Sequence, residues 1–260
     1  MIDIAIIGGS GFYNFDGMKG VKEISVKTPF GPPSDKIITG IISGVKVGFL
    51  ARHNRKHIYI PSEVPYRANI YALKKLGAKI ILSFSAAGSL KEELPPKTLV
   101  FPDQLVDKTV SRPSTFFGKG KIGHASFGSP FCACLQKVLF DTAKKLKIKS
   151  AKGGVLVCME GPAYSTRAES EFHRKMGWSL IGMTNSPEAK LAREGGIAYC
   201  PINMITDYDC WKDGEVSHDK VIEIMKHNEI SAKKILTAAL PLIKKMRRCG
   251  TCDKAIFSIK

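Results

Sequence analysis

Apolar residues gather along this chain in short unbroken runs, separated by stretches where they recur every three or four positions. Residues 2–7 form the first run and end in Gly8-Gly9-Ser10-Gly11, which reads as a buried strand followed by a tight turn. Residues 47–51, 80–87, 154–158 and 197–205 read the same way. Continuous apolar character is what a strand needs when both faces of its sheet are covered. Between the runs, Leu135, Val138, Leu139, Ala143 and Leu146 share one face of a helix that starts after Pro130. Ala168, Phe172 and Met176 do the same in a helix capped by Thr166. A longer helix, with Ser217 as its N-cap, runs through Val221, Ile224, Met225, Ile235 and Leu236 and bends near Pro241. Strands alternating with helices predict an α/β fold around a largely parallel or mixed sheet. With no internal repeat, low-complexity segment or Gly/Ser linker, residues 1–260 read as one domain, with 247–260 as a C-terminal extension.

Composition narrows the class. Hydrophobic residues make up 44% of the 260, enough for a substantial core, while 24 Gly and 14 Pro are too few for a collagenous or disordered chain. No apolar run approaches the roughly 18–20 residues that span a bilayer. The start, Met1-Ile2-Asp3-Ile4, lacks the basic region of a signal peptide, so a cytoplasmic protein without membrane contact is expected. The net charge of +17 points to an anionic partner, yet the lysines are scattered. A nucleic-acid binder concentrates basic residues with interleaved aromatics, so a lysine-rich solvated surface is the better reading. Seven cysteines without an export signal read as reduced thiols. Two alternatives stay open: a four-thiolate zinc site from Cys132/Cys134 and Cys249/Cys252, and disulfides among Cys200 and the C-terminal pair.

Five segments offer chemistry. The turn at 8–11 leaves backbone N–H groups for an anion, although Asn14 stands where a dinucleotide fingerprint needs Gly. Arg52-His53 follows a buried strand, where α/β proteins place ligands, and arginine offers a planar fork to phosphate. Ser83-Phe84-Ser85-Ala86-Ala87-Gly88-Ser89 is small enough for close approach of a ligand, or of a packed helix. The segment from Met159 to Glu169 contains a Gly-Pro turn, the candidate carboxylates Glu160 and Glu169, and Tyr164, which either stacks on a flat ligand or covers core. Asp207 and Asp209 stand at i and i+2 after the last apolar run; one of two close carboxyls can keep a proton and donate it to a ring nitrogen. A metal there lacks further ligands at suitable spacing.

In this order the segments resemble the nucleoside phosphorylases of the trimeric purine type, and within them the branch that cleaves 5′-methylthioadenosine. Glu160-Gly161-Pro162 with Arg167-Ala168-Glu169-Ser170 carries the family likeness, and Thr206-Asp207-Tyr208-Asp209-Cys210-Trp211 the likeness to the branch. The resemblance implies one α/β domain whose mixed central sheet closes partly into a barrel flanked by helices. It implies that Ser10, Arg52, His53, Ser85, Ala86 and Thr184 bind phosphate. Tyr164, Ser165, Met183, Asp207, Asp209 and His218 would bind the nucleoside, with Asp207 as the catalytic acid at purine N7. His124 would enter the 5′ pocket of a neighbouring subunit, which implies a homotrimer or a hexamer.

The implied activity is pentosyl transfer to inorganic phosphate, with no metal or organic cofactor: 5′-methylthioadenosine gives adenine and 5-methylthioribose 1-phosphate. His218 stands where the branch usually has an apolar residue, so adenosine is expected as a further substrate. Ala163 replaces an arginine of close relatives and touches no assigned role. The alternative is a purine nucleoside phosphorylase preferring adenosine, inosine or methylthioinosine. A non-catalytic purine or nucleic-acid binder is the reading from another class.

Overall fold

The computed structural model describes residues 1–9, 17–212, 216, 218–246, 250, 252, 254 and 256, with His218 and Lys220 described by backbone alone. The chain opens with β1 (Ile4–Gly8), β2 (Lys19–Ile24), β3 (Ile37–Ile42) and β4 (Val45–Ala51), then α1 (Tyr66–Lys75) and β5 (Ile80–Ser89). Next come β6 (Leu99–Phe101), β7 (Gln104–Asp107), α2 (Ala133–Lys145), β8 (Ser150–Lys152) and β9 (Val155–Cys158). The last stretch holds α3 (Arg167–Lys175), β10 (Leu180–Gly182), α4 (Asn185–Glu194), β11 (Ala198–Asp207) and α5 (His218–Lys245). All five apolar runs are strands, and all three helical patterns are helices.

The strands form one mixed sheet that branches at β5. Parallel β1 occupies one edge of β5 as far as Ser83, and antiparallel β10 takes up the same edge at Gly88 and Ser89. Parallel β11 covers the opposite edge along nearly the whole length. Residues 84–87 therefore have an open edge between two neighbours that run in opposite directions. Such a gap is where α/β sheets receive ligands. The described ladder does not close on itself.

Alternation of side chains across the sheet builds two cores. Ile4, Ile6 and Leu82 pack with α2 and α5 through Leu135, Leu139, Leu236 and Leu240. Ala5, Ile7 and Ile81 face α1 and α4 through Ile70, Leu73, Ala189 and Ala192. The double covering explains the unbroken apolar runs. The apolar stripe of α3 behaves otherwise: Phe172 and Met176 are 49% and 53% exposed, while its buried positions are Ser170 and His173. The 3.6-residue spacing located the helix, but polar side chains face inward. Among the described residues, no helix is long and apolar enough to cross a membrane.

Candidate active site

Arg52 leaves β4 and turns under β5 at 1% exposure. Its Nε donates to Glu188 Oε1 at 2.6 Å, Nη2 donates to Glu188 Oε2 at 3.3 Å and to Ser83 Oγ at 2.7 Å, and Nη1 donates to the Phe84 carbonyl at 3.0 Å. Burial opposes the charge, but the carboxylate of Glu188 overrides it and raises the guanidinium's pKa. Of the five N–H bonds of an arginine, one on Nη1 has no partner among the described residues, and it lies at the open edge of β5.

Glu188 is the functional partner that sequence reasoning missed. It sits in the first turn of α4, just after Ser186 departs from helical angles, and is fully buried. It also accepts from Ser83 Oγ and from the Tyr199 hydroxyl, each at 2.8 Å. Asn185 donates to the same hydroxyl at 2.9 Å and accepts from Asn203 at 3.1 Å. A buried arginine after a strand demands a counter-charge. Glu188, three and four positions before the buried Leu191 and Ala192, was the acid on an apolar helix face that could have answered it.

His53 Nδ1 donates to the Tyr59 carbonyl, 2.9 Å away, and the ring stacks on His57. Only a protonated Nδ1 can bond a carbonyl, so Nε2 carries the lone pair. Burial, then the charge of Arg52, lowers the pKa of His53 to about 4. Ser85 Oγ and Thr184 Oγ1 lie 3.1 Å apart across the open edge, and Ala86 is the exposed position of an otherwise buried β5. Met183, partly buried, lies over Gly161: a Cβ there would come within 2.5 Å of its Sδ. Ser10 lies outside the described residues, as does the side chain of His218 at the start of α5.

The acid pair stands at the C-terminal end of β11, which lines the opposite edge of β5. β11 carries a register shift between Ile205 and Asp207, which brings Asp207 opposite Gly88. Its carboxyl accepts from Thr206 Oγ1 and from the Asp209 backbone, both at 2.7 Å. Burial raises the pKa of Asp207, and the neighbouring charge of Asp209 adds to it despite those two bonds. Burial also raises Asp209, against the hydroxyls of Ser170 and Ser165 beside it. Tyr164 is 46% exposed; partial burial raises the pKa of its phenol, and the nearby Asp207 charge adds to it. Ser165 is buried, its hydroxyl 3.8 Å from Met159 Sδ.

Two acids considered as candidates are otherwise engaged. Glu169 closes a capping box with Thr166 at the start of α3. Glu160 binds the Val110 and Ser111 amides, the Ser111 hydroxyl and Arg112; these contacts overcome burial and hold its pKa at about 2. Arg112, with its side chain buried, also donates to the carbonyls of Glu160, Met183 and Ser186, and so ties together the stretches after β9 and after β10. Sequence reasoning missed this anchor as well, because its partners are backbone atoms distant along the chain.

His124 is exposed, on the segment between β7 and α2. No cluster of three or more metal-ligating side chains occurs among the described residues. Cys249 of the zinc alternative is outside them, and Cys200 of the disulfide alternative is a buried free thiol.

Known proteins resemble this chain in sequence and in fold. The family model described as "Phosphorylase superfamily" matches residues 3–241. An S-methyl-5′-thioadenosine phosphorylase of Geobacter sulfurreducens is 49% identical over 259 residues, covering 98% of this chain and 91% of that protein. One of Pyrococcus horikoshii is 45% identical over 253 residues, covering 97% of each. Among solved structures, a methylthioadenosine phosphorylase from an antarctic soil metagenomic library superposes with a TM-score of 0.92 at 44% identity, covering 97% of this chain and 90% of that one. The Schistosoma mansoni enzyme in complex with adenine gives 0.91 at 36% identity, covering 97% and 95%. With a family match across most of its length and relatives this similar, the chain belongs to the phosphorylase superfamily.

Proposed function

We propose that this protein cleaves 5′-methylthioadenosine with inorganic phosphate, giving adenine and 5-methylthioribose 1-phosphate, and accepts adenosine as a further substrate. The observation that carries the reading is that the cation and the acid pair both meet β5. Arg52 bonds the strand at Phe84, and Asp207 stands against it at Gly88. Four residues at about 3.3 Å each separate the two by about 13 Å, room for a phosphate, a pentose and a base in line.

Phosphate binds between the unassigned Nη1–H of Arg52 and the hydroxyls of Ser85 and Thr184, with Ser10, His53 and the Ala86 backbone beside them. Neutral His53 offers its Nε2 lone pair to a protonated phosphate oxygen. Met183 lies against the ribose, while Tyr164 and Ser165 border the base. As the C1′–N9 bond stretches, the sugar gains cationic character and the purine negative charge. Asp207 passes its proton to N7, and Asp209 accepts from the 6-amino group. A phosphate oxygen then bonds C1′. Each charge-stabilising contact contributes about 2–4 kcal/mol in the transition state. The polar residues present supply acid and anion cradle without a metal or organic cofactor.

The active form is a cytoplasmic homotrimer, or a hexamer of two trimers, in which His124 reaches a neighbour's 5′ pocket. Val110 and Ile122 support it, being 89% and 82% exposed on the segment that carries His124. Incubating the protein with 5′-methylthioadenosine, with and without phosphate, tests the activity. Adenine and the sugar 1-phosphate should form only with phosphate. Base release independent of phosphate would instead identify a hydrolase.

A further inference from the structure

Behind Asp209 lies a chain of polar groups that the reaction above does not use. Lys108 Nζ is 3.3 Å from His173 Nε2. An ammonium only donates, so Nε2 accepts and the ring proton is on Nδ1. His173 is 2% exposed and stacked on Trp178 with ring centroids 5.3 Å apart, so the ring is held in place. Three atoms here are buried without a hydrogen-bond partner: His173 Nδ1, Ser170 Oγ and Asp209 Oδ2. Ser170 and His173 are three apart on α3 and share the inward face, and the Ser170 hydroxyl lies beside the Asp209 carboxyl. Asp209 itself takes a left-handed backbone angle, φ 53°, just past the end of β11.

The three orphaned atoms form a donor–acceptor series. Nδ1–H can donate to Ser170 Oγ, and the Ser170 hydroxyl can donate in turn to Asp209 Oδ2. Such bonds are often slack before substrate binds and tighten around it. We propose that Lys108 and His173 are positioning residues that act through Ser170 to keep Asp209 a pure hydrogen-bond acceptor, and thereby set the preference for 6-aminopurines over 6-oxopurines. An ionised Asp209 receives an exocyclic N–H; a protonated one could donate to a 6-oxo group instead. This inference rests on the phosphorolytic reading above. The charged groups facing His173 are Lys108 after β7, Glu169 on α3 and Asp209 after β11; Asp209 also faces Asp207.

The test compares kcat/KM for 5′-methylthioadenosine and 5′-methylthioinosine at saturating phosphate, from about pH 5 to 8, across the range where histidine titrates. His173→Phe keeps a ring against Trp178 but removes both nitrogens. Lys108→Met removes the first donor at an exposed position, and Lys108→Arg restores one. In His173→Phe and Lys108→Met, the preference for the 6-amino substrate should shrink roughly tenfold, the size of one hydrogen bond to a charged group. The acid limb of the profile should move to higher pH in both, because Asp209 loses support for its charge, and Lys108→Arg should recover the wild-type profile. An unchanged preference and limb in both variants would overturn the inference, as would an equal loss on both substrates with an unmoved limb. If the wild-type protein released no base with phosphate, the functional reading would fail first, and the inference with it.

Discussion

Replacing Glu188 by Gln leaves the Arg52 guanidinium buried without its counter-charge. Breaking one side of such a pair typically costs about 3–5 kcal/mol, so urea unfolding of Glu188→Gln should show a loss of that order. His53 sets a pH dependence of the opposite origin, the burial of a neutral ring. Its pKa falls from an ordinary 6.5 to about 4 in the folded protein. Between those values the unfolded chain binds the extra proton, so stability is full above about pH 6.5 and is lost as pH falls toward 4. The urea midpoint should drop between pH 7 and pH 5, and drop less in His53→Gln.

At the scale of elements, the close approach of β5 to the acid pair depends on Gly88. A Cβ there would lie 2.9 Å from Asp207 Oδ1 and 3.0 Å from Ile181. Gly88→Ala should therefore displace the carboxyl and lower kcat/KM by roughly a hundredfold, as misplacements of about an ångström do, with little change in the phosphate KM. Steady-state kinetics with each substrate varied would check it. The site's elements were unevenly legible. Strands β1, β4, β5, β9 and β11 announced themselves by unbroken apolar runs, because both their faces are covered. The edge strand β2, exposed at nearly every position, and the three-residue strands β6, β8 and β10 carry no such signal. Helix α4 was missed because Ser186-Pro187 interrupts its start, and Glu188 went with it. Arg52, Asp207 and Asp209 were visible because they stand directly after apolar runs, where α/β sheets place ligands. Arg112 was not, since carbonyls from two distant stretches, after β9 and after β10, converge on it only in the folded chain.

For the whole molecule, the exposed apolar residues on α3 and on the segment around His124 call for a covering surface. Light scattering should give the mass of a trimer or hexamer, and Ile122→Glu should shift it toward smaller species by placing a charge in the contact. The net charge of +17 acts at this scale too, by drawing oxyanions toward the protein in a manner that salt screens. The direction of α3's apolar stripe was not legible in one chain's sequence, because periodicity reports a face without saying what covers it.

The branching of the sheet at β5 has a consequence for which nucleosides can fit. Anion anchor and base anchor are riveted to a single ten-residue ribbon, braced by β11 along its back. Their spacing is then a fixed gauge, insensitive to hinge movement between sheet halves. In the proposed reaction phosphate and base meet the same anomeric carbon, so the gauge sets only that line of approach and leaves tolerance for variation to the sugar's free 5′ end.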